Sequence, residues 1–284
     1  MATDWLAADP LDPAVIRALL ATSGLGRVLE VHRSLASTGD RVRDLARAGS
    51  AAPGLAVLAE EQTRGRGRAG RAWVSPPGAG VWMTVLVAPG PVAPGLVTLG
   101  AGVAVRRAVG RVAGVTATLR WPNDLEVGGE KLCGILGESV PGGAPSAVAL
   151  GIGLNVHGAP APEVIGRPAA ALDLAAGRPI ARNLLVAALL SELERVLGDL
   201  AAGRSAPVLA AWREGCSHLG MRVEVVGGEE VQRGIAVDID ATGALLLEVA
   251  GGRVVPVVAG SLAVLGPETL DLDLDLDRSR PAAP

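Results

Sequence analysis

A chain of 284 residues with 49% hydrophobic and 19% charged residues holds enough apolar material for one large domain with a small appendage. Its net charge of −3 offers no general pull toward nucleic acid or anionic lipid, and its longest apolar stretches, residues 80–87 and 184–190, fall far short of a membrane span of ~20 residues. Two cysteines, Cys133 and Cys216, make no disulfide framework, and an N-terminus with Asp4, Asp9 and Asp12 and no basic stretch is not a signal peptide, so the expectation is a cytoplasmic protein.

In chain order, residues 12–20 read as a short helix. Residues 40–49, with Val42, Leu45 and Ala46 at helical spacing, read as a second, ended by Gly49. Residues 54–59 are an apolar run, a buried strand. The polar, glycine-rich stretch 60–73 follows, then a turn at Ser75-Pro76-Pro77-Gly78. A strand is predicted over 81–87, a buried Ala/Val/Gly-rich helix over 97–112, and strands over 118–121, 134–139 and 147–156. Residues 182–200 carry Leu185, Leu189, Leu193, Val196, Leu197 and Leu200 at helical spacing, with Asn183 placed to cap the helix. After Cys216 the texture changes to short β-type runs (222–226, 234–239, 244–249, 253–258), separated by Gly227-Gly228, Asp240-Ala241-Thr242-Gly243 and Gly251-Gly252. The tail from Asp271 alternates Asp and Leu and reads as disordered.

Composition singles out one residue. There is no Phe or Tyr, Asn occurs only at positions 123, 155 and 183, and of 26 basic residues only Lys131 is lysine. These residue types use AT-rich codons, so a GC-rich coding background would turn Lys into Arg wherever charge alone suffices. A lysine that survives is expected where a compact ammonium must meet a phosphate or an attacking oxygen, a role that a guanidinium does not fill. The plain alternative is a lysine on a solvated loop.

Three segments carry candidate chemistry. The stretch 65–71, Gly-Arg-Gly-Arg-Ala-Gly-Arg, contains a formal G-x-G-x-x-G, but no Asp or Glu lies between Glu61 and Asp124 and Pro76-Pro77 precludes a helix soon after, so it is no dinucleotide fingerprint. It reads instead as a loop whose Arg64, Arg66, Arg68 and Arg71 repel one another until it orders over a carboxylate or phosphate. An RG-type nucleic-acid segment would need aromatics for stacking, which a chain without Phe or Tyr lacks. In the second segment, Trp121-Pro122-Asn123-Asp124 is followed by a glycine turn and Lys131-Leu132-Cys133-Gly134-Ile135-Leu136. This puts an amide, a carboxylate and an ammonium at a hairpin mouth, suited to a Mg²⁺-nucleotide, with a plain Asn-Asp corner as the alternative. The third, 151–156, ends an apolar strand with Asn155. His32, His157 and His218 show no metal-ligand spacing, and no Gly-x-Ser-x-Gly supports a hydrolase.

Taken together, Glu61 to Trp73, Trp121 to Leu136 and Gly151 to Val156 resemble the biotin protein ligases, over about residues 30–265. The resemblance implies an α+β fold: a mixed-sheet catalytic domain of the biotin/lipoate ligase type over 30–216 and a small SH3-like β-barrel over 217–267. A partly helical extension (1–29) would precede them and a disordered tail (268–284) follow. It implies Lys131 and Arg66 as catalytic residues. Ser37, Thr38, Gly39, Gln62, Arg66, Gly67, Arg68, Lys131 and Gly134 would bind biotin. Gly65, Arg66, Arg68, Trp73, Asn123, Asp124, Lys131 and Asn155 would bind ATP and the adenylate. Trp82 reads either as a wall of the biotin pocket or as core. ATP, Mg²⁺ and biotin would be the small molecules, with Asp124 a possible Mg²⁺ contact and no fixed metal site. The partner would be the biotin carboxyl carrier domain of an acetyl-CoA, acyl-CoA or pyruvate carboxylase, with neither nucleic acid nor membrane. Gly39 stands where the family usually has Asn, and Arg120 where Lys is frequent. With some 36 residues before Ser37, the expectation is a monofunctional ligase without a DNA-binding domain. A lipoate-ligase-like acyl-adenylate transferase and a non-catalytic biotin- or carrier-binding module are the alternatives.

Overall fold

The computed structural model describes residues 8–140, 147–227 and 230–266; the Asp-Leu tail and Gly228 of the first predicted C-terminal turn lie outside them. Helix α1 (Pro13–Leu19) is capped by Asp12, whose side chain accepts from the amides of Ala14 and Val15, and Pro13 supplies a preset φ where no amide is needed. Strand β1 (Leu29–His32) pairs in parallel with β2 (Ala56–Ala59), with α2 (Thr38–Arg47) between them in the chain. β3 (Gly80–Val87) runs antiparallel to β2. Helix α3 (Pro94–Ala113) ends on a left-handed Gly114 and leads to β4 (Thr118–Arg120), β5 (Asp124–Val127), β6 (Glu130–Ser139) and β7 (Val148–Asn155). The sheet order is β1-β2-β3-β7-β6-β5-β4, one parallel pair in an otherwise antiparallel sheet.

Short helices α4 (Pro162–Ile165) and α5 (Leu172–Ala176) precede the long α6 (Arg182–Ala201) and α7 (Ala206–Gly215). The sheet is covered on both faces, which is why β2 and β3 read as continuous apolar runs rather than alternating ones. On one face Leu58, Val81, Met83, Val85, Leu150 and Leu154 join the core of α3 and α6. On the other, Val57, Leu86 and Ala149 pack against Val42 and Ala46 of α2. Close approach of α3 and α6 needs Gly100, where a Cβ would stand 3.0 Å from Leu200 and 3.1 Å from Val196.

One expectation fails here. Asn183 is not the cap of α6; Ala181 holds that position, without a side-chain hydrogen bond. Asn183 instead accepts from the Asp12 amide at 2.9 Å and donates to the Pro10 carbonyl at 2.9 Å, stitching the N-terminal segment to the helix. The helix starts two residues earlier than a cap at Asn183 would place it, because the Arg182 amide already has a partner in the Asp9 carboxylate, at 2.8 Å.

The C-terminal module is an antiparallel sheet of β8 (Arg222–Gly227), β9 (Glu230–Ile239), β10 (Leu245–Val249), β11 (Arg253–Val257) and β12 (Ser261–Val264), in the order β11-β10-β9-β8-β12. It touches the large sheet at the Trp-Pro-Asn-Asp segment. The buried Trp121 indole donates to the Gly243 carbonyl at 3.1 Å, and Arg120 donates to the Leu262 carbonyl at 2.7 Å.

Candidate active site

The α2 face of the sheet opens into a cavity of about 160 Å³. Its floor is cleared by glycines: the register sets Gly151 between Thr84 and Leu136, Gly153 beside Gly134, and Asn155 opposite Gly80. Trp73 lies over the cleared floor. A Cβ at Gly134 would stand 2.8 Å from its ring, and one at Gly153 closer still. From Gly151 to Asn155 the floor extends ~13 Å at ~3.3 Å per residue.

Thirteen of the predicted residues line this one cavity: Ser37, Thr38, Gly39, Gln62, Arg66, Gly67, Arg68, Trp73, Asn123, Asp124, Lys131, Gly134 and Asn155. Gly65 does not. It sits behind the loop, where a Cβ would collide with the Trp73 carbonyl, and its own carbonyl accepts from the Trp73 amide at 2.9 Å. Trp82 is core, 1% exposed, with its indole on the Pro76 carbonyl at 3.3 Å.

Lys131 reaches the cavity because β6 bulges. β5 pairs Leu125 with Cys133 and Glu126 with Lys131, so Leu132 is the extra residue. Leu132 and Cys133 both point into the core, and the odd-numbered lysine thereby joins even-numbered Gly134 and Leu136 on the cavity side. Its Nζ lies 2.7 Å from Asp124 Oδ1 and 5.2 Å from the centroid of the Trp73 ring. Asp124 gives its other oxygen to Arg167 at 3.3 Å, so both oxygens face cations. Asn123 Nδ2 donates to the Ile135 carbonyl at 2.8 Å, and its Oδ1 accepts from Arg68 at 3.0 Å.

At the Gly151 end stands a neutral polar cluster. Gln62 Oε1 accepts from the Thr38 amide at 2.9 Å and its Nε2 donates to Ser75 at 2.8 Å, while the hydroxyls of Thr38 and Thr84 meet at 2.8 Å. Ser37 caps α2, accepting from the Asp40 amide at 3.4 Å. At Gly39 a Cβ would find Ser37 Oγ at 3.6 Å and Glu138 at 3.8 Å, ordinary contact distances, so the missing side chain leaves usable space.

The arginine loop is folded rather than splayed open. Gly67 donates to Arg71 O at 2.7 Å, Arg66 bridges Ala72, and Ala69 (φ 53) with Gly70 (φ 73) turns the chain. The mutual repulsion expected of the guanidiniums is relieved by partners the sequence reading did not include. Arg66 meets Glu138 at 2.7 Å and Asp40 at 3.5 Å, and Arg43 pairs with both carboxylates. Arg71 reaches Ser261 of the C-terminal sheet at 3.4 Å. Arg68, half-buried, has neutral acceptors in Asn123 and the Gly260 carbonyl. Burial holds its pKa below the usual range, with Asp124 opposing and Arg71 adding to the effect.

Among the described residues, four buried side-chain polar atoms make no hydrogen bond: Trp73 Nε1 and Asn155 Oδ1 beside the cavity, Asp124 Oδ1, whose only close contact is the Lys131 ammonium, and Gln232 Oε1 in the C-terminal sheet. An unpaired acceptor and an unpaired donor beside a cavity are ready for a ligand with complementary edges. Among the described residues no group of three or more His, Cys, Asp or Glu is placed to hold a metal ion. Cys216 and His218 lie 3.4 Å apart, but burial raises the thiol and pushes the imidazole down to about 4, so they form no nucleophilic dyad.

A second charged cluster lies outside the cavity. Arg182, wholly buried, donates to Glu60 at 2.7 Å and to the Gly80 carbonyl at 3.1 Å, and also meets Asp9. His157 places one ring nitrogen 2.7 Å from Asp173 and the other 3.1 Å from Asp9. Burial lowers the imidazole's affinity for its proton, but the two carboxylates outweigh it and raise the pKa. Burial likewise raises Asp9, yet its bonds to His157 and Arg182 bring it below the usual range.

A mixed sheet with a cation-lined cavity beside a small antiparallel module is the build of the solved biotin protein ligases that the chain resembles. Residues 31–155 match the model of the Biotin/lipoate A/B protein ligase family, and residues 218–262 that of the Biotin protein ligase C terminal domain. The biotin--[acetyl-CoA-carboxylase] ligase of Mycobacterium tuberculosis is 42% identical over 267 residues, covering 90% of this chain and 96% of that protein. The structure resembles the biotin protein ligase of Aquifex aeolicus in complex with biotin and ATP, with TM-score 0.75, 25% identity, and 84% and 100% of the two chains covered. It also resembles that of Leishmania major in complex with biotinyl-5-AMP, with TM-score 0.58, 27% identity, and 82% and 99% covered. The chain belongs to the biotin protein ligase family.

Proposed function

We propose that the chain joins biotin and ATP into biotinyl-AMP, with release of pyrophosphate, and passes the biotinyl group to a lysine of a biotin carboxyl carrier domain in the cytoplasm. In the first step the biotin carboxylate oxygen attacks the α-phosphorus. In the second the lysine amine attacks the acyl carbon of the mixed anhydride and AMP leaves. The first step drives one anion onto another, so fixed cations at the meeting point are its main physical requirement.

The observation that carries this reading is the convergence of Lys131, Arg66 and Arg68 on one cavity, with neutral hydrogen-bonding groups at one end and a bare amide oxygen at the other. In this reading Ser37, Thr38, Gln62 and the space at Gly39 take biotin's ring, with Gly67 and Gly134 as close backbone. Lys131 and Arg66 take the carboxylate and α-phosphate, and Arg68 the departing pyrophosphate. Asn155 Oδ1 accepts from the adenine amino group while Trp73 covers the base. Asn123 anchors Arg68, and Asp124 orients Lys131. Mg²⁺ arrives with ATP as part of the substrate. Biotin-dependent exchange of pyrophosphate into ATP tests the proposal: exchange with biotin and none with lipoate is expected. Exchange driven by lipoate, or by neither acid, overturns it.

A further inference from the structure

Arg167 is a cavity residue to which neither motif nor resemblance assigns a role. It lies between α4 and α5, on a segment that straps the backbone of Lys131. The Lys131 amide donates to the Pro168 carbonyl at 3.1 Å, the Ala170 amide donates to the Lys131 carbonyl at 3.0 Å, and Lys131 bridges Ala169 in parallel. The segment that carries Arg167 therefore also fixes the lysine's main chain. Its guanidinium completes the task at the side chain: Nη1 reaches Asp124 Oδ2 at 3.3 Å and Nη2 reaches Glu126 Oε1 at 2.6 Å. Lys131 holds Asp124 Oδ1 at 2.7 Å, so each oxygen of that carboxylate has its own cation.

We propose that Arg167 is a positioning residue for adenylation, locking Asp124 in the rotamer that presents the Lys131 ammonium to the reacting carboxylate and phosphate. The inference rests on the reading of Lys131 given above. The lock is anchored away from the cavity. Glu126, almost fully buried, also accepts from Arg120 at 2.9 Å, and Arg120 is tied to the Leu262 carbonyl at 2.7 Å. The line from Lys131 through Asp124, Arg167, Glu126 and Arg120 thus ends on the backbone of the C-terminal sheet. Without Arg167, Asp124 retains a single cationic neighbour at bonding distance and its free oxygen can turn onto the ammonium. That draws the charge back from where the two anions meet. Such a defect degrades geometry in the reacting complex and leaves the biotin ring's own contacts untouched.

The test uses the full chain and biotin-dependent ATP–pyrophosphate exchange, with melting temperature as a fold control. Arg167→Ala is expected to lower kcat by ~10-fold to ~100-fold while the KM for biotin moves less than ~2-fold. Arg167→Lys should restore part of the rate. Because Arg167 acts through Asp124, the Arg167→Ala/Asp124→Asn double variant should be no slower than Asp124→Asn alone. Should Arg167→Ala fold poorly, Arg167→Gln serves in its place. An unchanged kcat, a loss confined to KM, or additive effects in the double variant overturns the inference. Lys131→Ala separates the two levels. If it abolishes exchange while Arg167→Ala does not slow it, only the inference falls; if it retains exchange, the underlying reading falls as well.

Discussion

The same residue types build two charged clusters in this chain, and the chain finishes one and leaves the other unfinished. Around Arg182 and His157 the guanidinium has Glu60, Asp9 and the Gly80 carbonyl, and each imidazole nitrogen faces a carboxylate. Around Lys131 the bookkeeping does not close. Arg68 is held by neutral oxygens, Trp73 Nε1 and Asn155 Oδ1 are bare, and Arg66 leans on carboxylates at the rim. A buried charge that is fully matched serves cohesion, because any vacancy there would cost stability with nothing to fill it. A half-matched group beside a cavity costs stability too, and a ligand that completes it recovers that cost. The difference separates architecture from chemistry without appeal to which residue types are present.

Breaking the finished cluster should have the largest thermodynamic effect. Arg182→Met keeps length and apolar bulk but strands Glu60 and part of Asp9 without their cation. Removing one member of a buried ion pair costs about 3–5 kcal/mol. Denaturant unfolding of the variant should show a loss of that order. A loss below ~1 kcal/mol would mean that the cluster is solvated or readily rearranged. Breaking the unfinished cluster should spare the fold and affect the chemistry. Lys131→Arg retains the charge but replaces a compact ammonium with a planar fork, and pyrophosphate exchange should fall by ~10²–10³ with little change in melting temperature. Near-wild-type exchange would show that charge alone suffices and that the lone lysine is an accident of composition.

How much of this was legible in the sequence follows the same division. The long elements with clean periodicity, β3, α3, β7 and α6, were readable because core burial imposes the pattern over many residues. β1, β5 and β12 were not, being four residues each and held by neighbours rather than by a pattern of their own. At the cavity, motifs led to the residues that face the ligand space, and the lone lysine pointed to Lys131. The bulge at Leu132 that turns it inward depends on pairing with β5, which single-strand alternation cannot express. Asp40, Arg43 and Glu138 went unread although they lie within a few residues of Gly39 and Gly134, because they look like ordinary charged residues on a helix and at a strand end, and Arg167 went unread because it reaches the site from a loop far along the chain. A spare acidic residue inside an apolar strand, as at Glu138, was the one available signal. The Asp9–His157–Arg182 cluster draws its members from across most of the chain and had no local signature at all.

The finest test of the contrast is pH. An imidazole can donate to Asp9 and Asp173 at once only as imidazolium, since a neutral ring has one N–H for two carboxylates. Asp9, Asp173 and Arg182 surround it, and the folded-state pKa of His157 lies above the ordinary value. A group whose pKa rises on folding stabilises fully below its unfolded value, and that contribution fades as pH climbs through the folded value. Asp9, whose pKa is lowered, stays ionised throughout that range and adds no slope of its own. The melting temperatures of wild type and His157→Gln should therefore differ most near pH ~6 and converge as the solution becomes alkaline, because glutamine has no proton to lose. A gap that stays constant from acid to alkaline would mean that His157 is neutral in the folded chain. Lys131→Arg, compared in the same way, should show no such pH-dependent gap in melting temperature, because it leaves the Asp9–His157–Arg182 cluster untouched.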